Sequence, residues 1–307
     1  MNRKSIETKD KEHWLELKSK DISSTEVAAL FGLSPYLTKF ELWHRKKNGS
    51  ILSIDENERM KWGTRLEPAI AEGIGVDNGW DVAPFKNYMT IPELRLGSSF
   101  DYVIGNNESL LEIKNVDNLI FKDGWEIDED GNIEAPPHIE LQVQHQMLVS
   151  GINKCKIGAL VGGNKLSLIE REIDKDITEK ILNECGKFWK SIDDNTAPEP
   201  NFEKDAEFIM HLYNYAEPNK VMDSNEEIQK LAKEYREWAQ KAKDAGIKKD
   251  ALKAQLLKNI GDSEKCKGDN FTISAGIVSE AEINYKRKAY RSFRIHWKKE
   301  KDSVENK

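Results

Sequence analysis

Apolar and polar positions alternate by two in the middle of this chain, and by three and four on either side. Two apolar segments, 98–104 and 109–116, flank the turn-forming run Gly105-Asn106-Asn107-Glu108 and predict a β-hairpin. Further strands are predicted at 87–91, 153–161 and 165–173. Helices surround them. Residues 10–48 read as three short helices, two opened by capping boxes, Ser23-x-x-Glu26 and Thr38-x-x-Glu41, with Gly32 and Gly49 as stops. A helix from about Asp55 to Gly79 meets Pro68, which either kinks it or begins a new one. Residues 117–134 are acidic and glycine-containing and read as an exposed loop or an extra hairpin. Pro136-Pro137 introduces a helix through Ser150, closed by Gly151. A later helix turns Ile177, Ile181, Leu182, Cys185, Phe188 and Trp189 inward.

The run Asp193-Asp194-Asn195-Thr196-Ala197-Pro198-Glu199-Pro200 reads as a linker, so a domain over 1–200 is expected ahead of a helical and β extension over 201–307. In the extension Ile228, Leu231, Tyr235, Trp238, Ala242 and Ala245 recur by three and four, a coiled-coil-like seam. The seam weakens at Gly246 and Lys249 and resumes at Leu252 and Leu256. One helix of ~50 Å, at ~1.5 Å per residue, or a helical hairpin bent at Gly246 fits equally well. The stripe serves either packing on the main domain or self-association. After Gly261, β-like segments are expected at Phe271–Val278 and Ser292–Trp297. The pattern as a whole predicts an α/β protein with a mixed sheet flanked by helices.

Composition narrows the class. The 307 residues suffice for one large domain with an appendage, or for two domains. The amino terminus is polar and no apolar run approaches the ~18 residues that span a bilayer, so a cytoplasmic protein is expected. Cys155, Cys185 and Cys266 are odd in number and far apart, which fits a reducing compartment and excludes a zinc or iron–sulfur quartet. The net charge of −7 argues against indiscriminate coating of nucleic acid and leaves room for a local basic channel. Between Lys286 and Lys301 stand eight Lys/Arg residues and one acid, Glu300, with Tyr290, Phe293 and Trp297 interleaved. That stretch either tracks a phosphate backbone or is the basic outer face of a hairpin.

The predicted hairpin carries the chemistry. Glu112 and Lys114 are two apart and share a strand face, while Leu111 and Ile113 face a core. Asp101 on the partner strand can reach the same spot. Two carboxylates and a lysine then converge where a Mg²⁺ ion and a phosphodiester would need them. The Glu-x-Lys triplet alone is uninformative, because it recurs at Glu7/Lys9, Glu16/Lys18 and Glu305/Lys307. Glu67, before Pro68, stands where α geometry is disfavoured. Gln142, His145 and Gln146 lie on one side of a helix, a polar face that is ordinarily solvated.

Taken in order, Trp14-x-x-x-Lys18, Ile22-Ser23-Ser24-Thr25-Glu26, Leu33-Ser34-Pro35-Tyr36, Trp62-Gly63-x-x-Leu66-Glu67-Pro68, Ser99-Phe100-Asp101, Glu112-Ile113-Lys114 and Gln142-Val143-Gln144-His145-Gln146-Met147 resemble the PD-(D/E)XK nucleases. Within these the match is to the YqaJ-like viral recombinase and lambda exonuclease group, over roughly residues 14–150. The closing Tyr290-Arg291-Ser292-Phe293-Arg294-Ile295 is similar, more weakly, to the carboxy-terminal extension of many YqaJ-type proteins.

The resemblance implies a restriction-endonuclease-like core. It also implies a Mg²⁺-dependent exonuclease, with Mn²⁺ as substitute, that digests one strand of linear double-stranded DNA 5′→3′. Asp101, Glu112 and the Ile113 carbonyl would hold the first metal, Glu67 and Gln142 would complete its surroundings, and Lys114 would lie beside the attacking water. Ser99 and Thr25 match hydroxyl positions near the phosphate, and Lys18 a cationic position that grips a 5′-phosphate end. A ring-shaped trimer, a single-strand annealing partner and a phage or prophage recombination role come with the same resemblance. Departures are Phe100 for the usual proline, Tyr102 for the usual glycine, and Lys18 where lambda exonuclease has arginine; lysine keeps the charge without bidentate geometry. Another PD-(D/E)XK endonuclease or repair nuclease, and a non-catalytic DNA-binding partner of an annealing protein, are the alternatives.

Overall fold

Side-chain caps set most helix starts in the computed structural model, which describes residues 1–49, 57–127, 129, 133–282, 284 and 290–295. Asp10 accepts the His13 amide and opens α1 (Lys11–Lys20). A four-residue helix, α2 (Val27–Leu30), follows, and Thr38 accepts the Glu41 amide to open α3 (Lys39–Asn48). Both capping boxes are therefore used in part. The Glu41 carboxylate turns to Arg45 rather than back to Thr38. Glu26 does reach back to the Ser23 amide and hydroxyl, at 2.9 and 2.8 Å, but its helix starts only after Glu26. Gly49 ends α3 at φ 59°, a left-handed position that favours glycine.

Asn57 caps α4 (Glu58–Asn78), a single helix that runs through Pro68. Of the two alternatives at Pro68 the start of a new helix is thus corrected, and Glu67 stays helical. Burial of Ile70, Ala71, Ile74 and Gly75 supplies the tertiary packing that outweighs the local cost of the proline. The predicted start at Asp55 lies outside the described residues. Of the loop or extra hairpin expected at 117–134, a short hairpin is found at 126–127 and 133–134, preceded by an unexpected helix, α5 (Asn118–Gly124), capped by Asp117 and anchored by buried Phe121, which stacks on Trp125. The remaining helices of this region are α6 (Pro137–Ser150), α7 (Lys175–Asp193) and α8 (Ala206–Leu212).

The strands are β1 (Lys4–Glu7), β2 (Ile22–Ser23), β3 (Val82–Pro84), β4 (Asn87–Ile91), β5 (Leu96–Ser98), β6 (Tyr102–Ile104), β7 (Ser109–Val116), the short hairpin β8 (Glu126–Ile127) and β9 (Ile133–Glu134), β10 (Lys154–Val161) and β11 (Lys165–Glu172). They build a four-stranded sheet, β1-β4-β5-β2, and a five-stranded sheet, β11-β10-β7-β6-β3. The second is mixed: β7 and β10 run parallel, while the other neighbours are antiparallel. The mixed sheet flanked by helices is the architecture expected.

The strand predicted over 98–104 is divided. Residues 96–98 belong to one sheet and 102–104 to the other. The chain crosses between them at Ser99-Phe100-Asp101, where Ser98 donates to the Ser99 carbonyl and Phe100 packs edge-on against Phe85. Asp101 therefore sits at the entry to β6, not inside a strand.

By its contacts the chain forms two compact units, 1–209 and 210–307. Near the end of the first, the fully buried Asp205 accepts the Thr38 hydroxyl and the Asn201 amide. In the second, α9 (Glu226–Ile260) is one continuous helix through Gly246, which decides between the two forms the sequence allowed. A two-stranded ladder, β12 (Lys265–Lys267) with β13 (Thr272–Ser274), covers only part of the expected 271–278 strand. Residues 292–295 form no strand, and 296 and 297 lie outside the described residues. Among the described residues no helix is long and apolar enough to cross a membrane.

Candidate active site

Period-two geometry on β7 sorts its side chains. Leu110, Glu112 and Lys114 pair with Cys155, Ile157 and Ala159 of β10, so all six project from one face. Helix α6 covers that face through Val143 and Met147. Leu111 and Ile113 project from the other face onto Ile70, Ala71 and Ile74 of α4. Gly158 permits this approach, since a Cβ there would collide with Ile74. The hairpin is thus clamped between two helices, and α6 brings its polar side chains directly onto Glu112.

Glu112 is 3% exposed and fully engaged. Its Oε1 accepts from Lys114 Nζ at 2.6 Å and from Gln142 Nε2 at 2.6 Å, and its Oε2 accepts from Gln146 Nε2 at 2.7 Å. Lys114 Nζ also donates to Gln142 Oε1 at 3.1 Å. The glutamine face expected to be solvated is buried instead: Gln142 and Gln146 are spaced one turn apart, and a carboxylate below them supplies the acceptor their amides need. Gln144, on another side of α6, holds the β11–α7 junction through the Glu172 carbonyl and the Asp174 amide.

Asp101 accepts the Ile113 amide at 2.8 Å, which brings its carboxylate beside Glu112. Burial first, then the Glu112 charge, pushes the Asp101 carboxyl well above the ordinary range, against the pull of Lys114. Glu67, from α4, is raised for the same reasons in the same order. For Lys114, burial pulls the ammonium down, but Glu112 and then Asp101 outweigh it and the net shift is upward. Lys114 is a charged group here. Three carboxyls crowd one ammonium, and a cation would relieve the like-charge crowding that raises two of them.

The donor set also suits a hard one: carboxylate oxygens and the Ile113 backbone, with no sulfur or imidazole. Among the described residues no three His, Cys, Asp or Glu side chains form a ready-made cage.

A cationic wall completes the cavity, which encloses about 370 Å³ and is lined by Trp14, Lys18, Thr25, Glu67, Ser99, Asp101, Glu112, Lys114, Gln142 and Gln146 among others. Trp14 Nε1 donates to Ser99 Oγ at 2.8 Å. Lys18 lies over the Trp14 ring at 5.1 Å and donates to Thr25 Oγ1 at 3.1 Å. Burial lowers the Lys18 ammonium pKa, against the opposing pull of Glu26.

Every predicted site residue therefore lines one cavity. His145 does not. It is fully buried, and burial pushes its pKa down to about 4 against the pull of the Ile22 backbone and of Glu26. Sequence reasoning passed over Lys46, whose Nζ donates to the Lys18 and Asp21 carbonyls and to Glu26 Oε2 at 2.8, 2.7 and 2.9 Å and so fixes the segment that carries Lys18 and Thr25. A lone lysine late in a basic helix end gives no sequence signal. Of the basic stretch 286–301, residues 286–289 and 296–301 lie outside the described residues.

Comparison with known proteins finds a family that part of the chain is similar to. Residues 13–153 match the model of the YqaJ-like viral recombinase domain. An uncharacterized protein YqaJ of Bacillus subtilis (strain 168) is 28% identical over 225 residues, covering 69% of this chain. The match spans 66% of that relative's length, just under two thirds. Among solved structures, an alkaline exonuclease (LHK-Exo) from Laribacter hongkongensis superposes with a TM-score of 0.48 at 18% identity, over 64% of this chain and 99% of that one. A phage related exonuclease from Haemophilus somnus 129PT gives 0.41 at 9% identity, over 57% and 96%.

Proposed function

From the match of residues 13–153 to the YqaJ-like viral recombinase domain, we propose that the protein is a Mg²⁺-dependent exonuclease acting on the ends of linear double-stranded DNA. It digests one strand 5′→3′ and leaves 3′ overhangs for phage-type recombination, handed to a single-strand annealing protein. The observation that carries this reading is the meeting of Asp101, Glu112 and Lys114 in one cavity, with Lys18, Thr25 and Ser99 on its wall.

Asp101, Glu112 and the Ile113 carbonyl would hold the metal, with Glu67 and Gln142 beside it. Bound there, Mg²⁺ neutralises phosphate charge and lowers the pKa of a water. The chain's own groups do the rest. Gln142 and Gln146 hold both oxygens of Glu112 in one orientation. Lys114, kept charged by Glu112, orients a water and offsets charge that builds on the phosphate during attack. Lys18, steadied over Trp14, is placed to grip a terminal 5′-phosphate while the hydroxyls of Thr25 and Ser99 donate to it. The ring-shaped trimer of the resemblance would thread the duplex past this site.

The test is a set of linear duplexes labelled at either end, with and without 5′-phosphates, beside a closed circle, in Mg²⁺, Mn²⁺, Ca²⁺ or excess EDTA. Mononucleotides should leave the 5′ end of linear DNA in Mg²⁺ or Mn²⁺, faster from phosphorylated ends, while the circle stays intact. Cutting of the circle would replace this reading with an endonuclease, and full activity in EDTA would remove the metal site altogether.

A further inference from the structure

In α9 most of the large apolar residues fall on a heptad, which Lys249 and Asn259 interrupt in its second half. Ile228, Tyr235, Ala242, Lys249 and Leu256 occupy one seam position (a), and Leu231, Trp238, Ala245, Leu252 and Asn259 the other (d). None of the 35 residues of α9 is buried, and Tyr235 and Trp238 are 54% and 68% exposed. Among the described residues, the aromatic contact on the stripe is Phe293 against the edge of Tyr235. A helix of this length with an uncovered seam is built to be covered.

The flanking residues say by what. Position g, just ahead of each a residue, reads Glu227, Glu234, Lys241, Lys248: acidic in the first half of the helix and basic in the second. Position e, just after each d residue, reads Ala232, Ala239, Gly246. In a parallel pair, g faces the partner's e, so both glutamates would face alanine and Lys248 would face Lys253. That arrangement has no complementary pair and, by two-fold symmetry, two repulsive pairs. In an antiparallel pair, g faces g. Setting Glu227 against the partner copy's Lys248, and Glu234 against its Lys241, makes four opposite-charge pairs by two-fold symmetry and no like-charge contact.

The same register packs the seam from Ile228 to Ala245. It stacks Ile228 on Ala245, Leu231 on Ala242 and Tyr235 on Trp238 across the axis, large against small with one aromatic layer at the centre. Ala232 then faces Ala239, so nothing bulky keeps the helices apart. Size and charge select one alignment together. We propose that α9 binds the α9 of a second copy of this chain as an antiparallel two-helix coiled coil in this register. The contact is two-fold and isologous, and it uses none of the residues of the nuclease cavity. It therefore stands whether or not the exonuclease reading does.

The experiment uses the full chain with Cys266→Ser, which removes the half-exposed native thiol and leaves only buried Cys155 and Cys185. Adding Ile228→Cys together with Ala245→Cys should give an interchain disulfide under mild oxidation. Within one helix these positions are ~25 Å apart and cannot bridge, and each single substitution sits equally far from its own symmetry mate. Charge reversal supplies the second arm. By light scattering across a dilution series, Glu234→Lys should weaken the association by about tenfold or more, and adding Lys241→Glu should restore it. Crosslinking by Ile228→Cys alone would mean a parallel pair and overturn the proposal. So would absence of the double-variant crosslink, or a mass that ignores both Trp238→Ser and the charge reversal, as expected if the stripe packs within its own chain.

Discussion

The face of β7 under α6 and the stripe of α9 depart from the usual distribution of residues in opposite directions. The first buries a carboxylate and two glutamines against a partly buried lysine, where apolar side chains would pack at less risk. The second leaves isoleucine, leucine, tyrosine and tryptophan in water where polar ones would do. Each departure has a cost the fold must offset, and each is compensated differently. The buried group is satisfied by its own neighbours, bond by bond, apart from the crowding of like charges. The exposed stripe has, among the described residues of its compact unit, Phe293 against Tyr235 and Lys241 over Trp238, and it stays exposed. Both point outward: one asks for a cation and a phosphate, the other for a second helix.

The largest effect on this comparison should come from Asp101→Asn. Cleavage should fall at least ~10³-fold, because a metal ligand and its charge are lost while the volume is kept. Stability measured without metal should rise instead. The Asp101 carboxyl is pushed up by burial and by Glu112, so its ionised form is less stable in the folded chain than in the unfolded one near neutral pH. The amide oxygen can still accept the Ile113 amide. A gain in melting temperature alongside lost cleavage, by calorimetry and an end-labelled assay, would mark this face as shaped for function. A loss of both would mean that Asp101 is simply structural.

His145 sharpens the comparison from within the buried face. It shares α6 with Gln142 and Gln146, yet burial outweighs the pull of its neighbours. Its pKa falls from 6.5 to about 4 on folding, so the folded chain binds fewer protons than the unfolded one in that interval. Stability is full above about pH 6.5 and declines as pH falls towards about 4, by about 3 kcal/mol in all. His145→Gln should flatten that part of the pH–stability curve by denaturant titration. An unchanged slope would place the acid sensitivity elsewhere.

Much of this was legible in the sequence, and the failures have a common physical origin. Strands β4, β7, β10 and β11 and helix α6 follow from periodicity and end signals that act locally. The hairpin placed Glu112 and Lys114 on one face because a strand allows nothing else. What periodicity could not supply was information held by distant residues. The split of 98–104 between two sheets depends on which neighbours β5 and β6 find, and the passage of α4 through Pro68 depends on packing against β7 and β10. The burial of the glutamines was missed for the same reason: an amphipathic pattern reports polarity, and only the position of Glu112 beneath α6 turns polarity into an interior. Helix α5 was the avoidable miss, since Asp117 before Leu119-Ile120-Phe121 is a cap ahead of an apolar turn.

The smallest expected effect tests the exposed side of the comparison. Phe188 and Trp238 are both aromatic residues on long helices, one 1% exposed in α7 and the other 68% exposed in α9. Phe188→Ala should cost about 3–5 kcal/mol, since it removes a packed ring and leaves a cavity. Trp238→Ser should cost less than ~0.5 kcal/mol when measured at high dilution, where each chain stands alone and the indole has little to lose but a contact with Lys241. At higher protein concentration the second number should grow, because an associating helix draws stability from its partner by mass action. Denaturant titrations at two concentrations a hundredfold apart separate these cases. A large cost for Trp238→Ser that does not depend on concentration would mean that the stripe is covered by its own chain, and the contrast between the two regions would disappear.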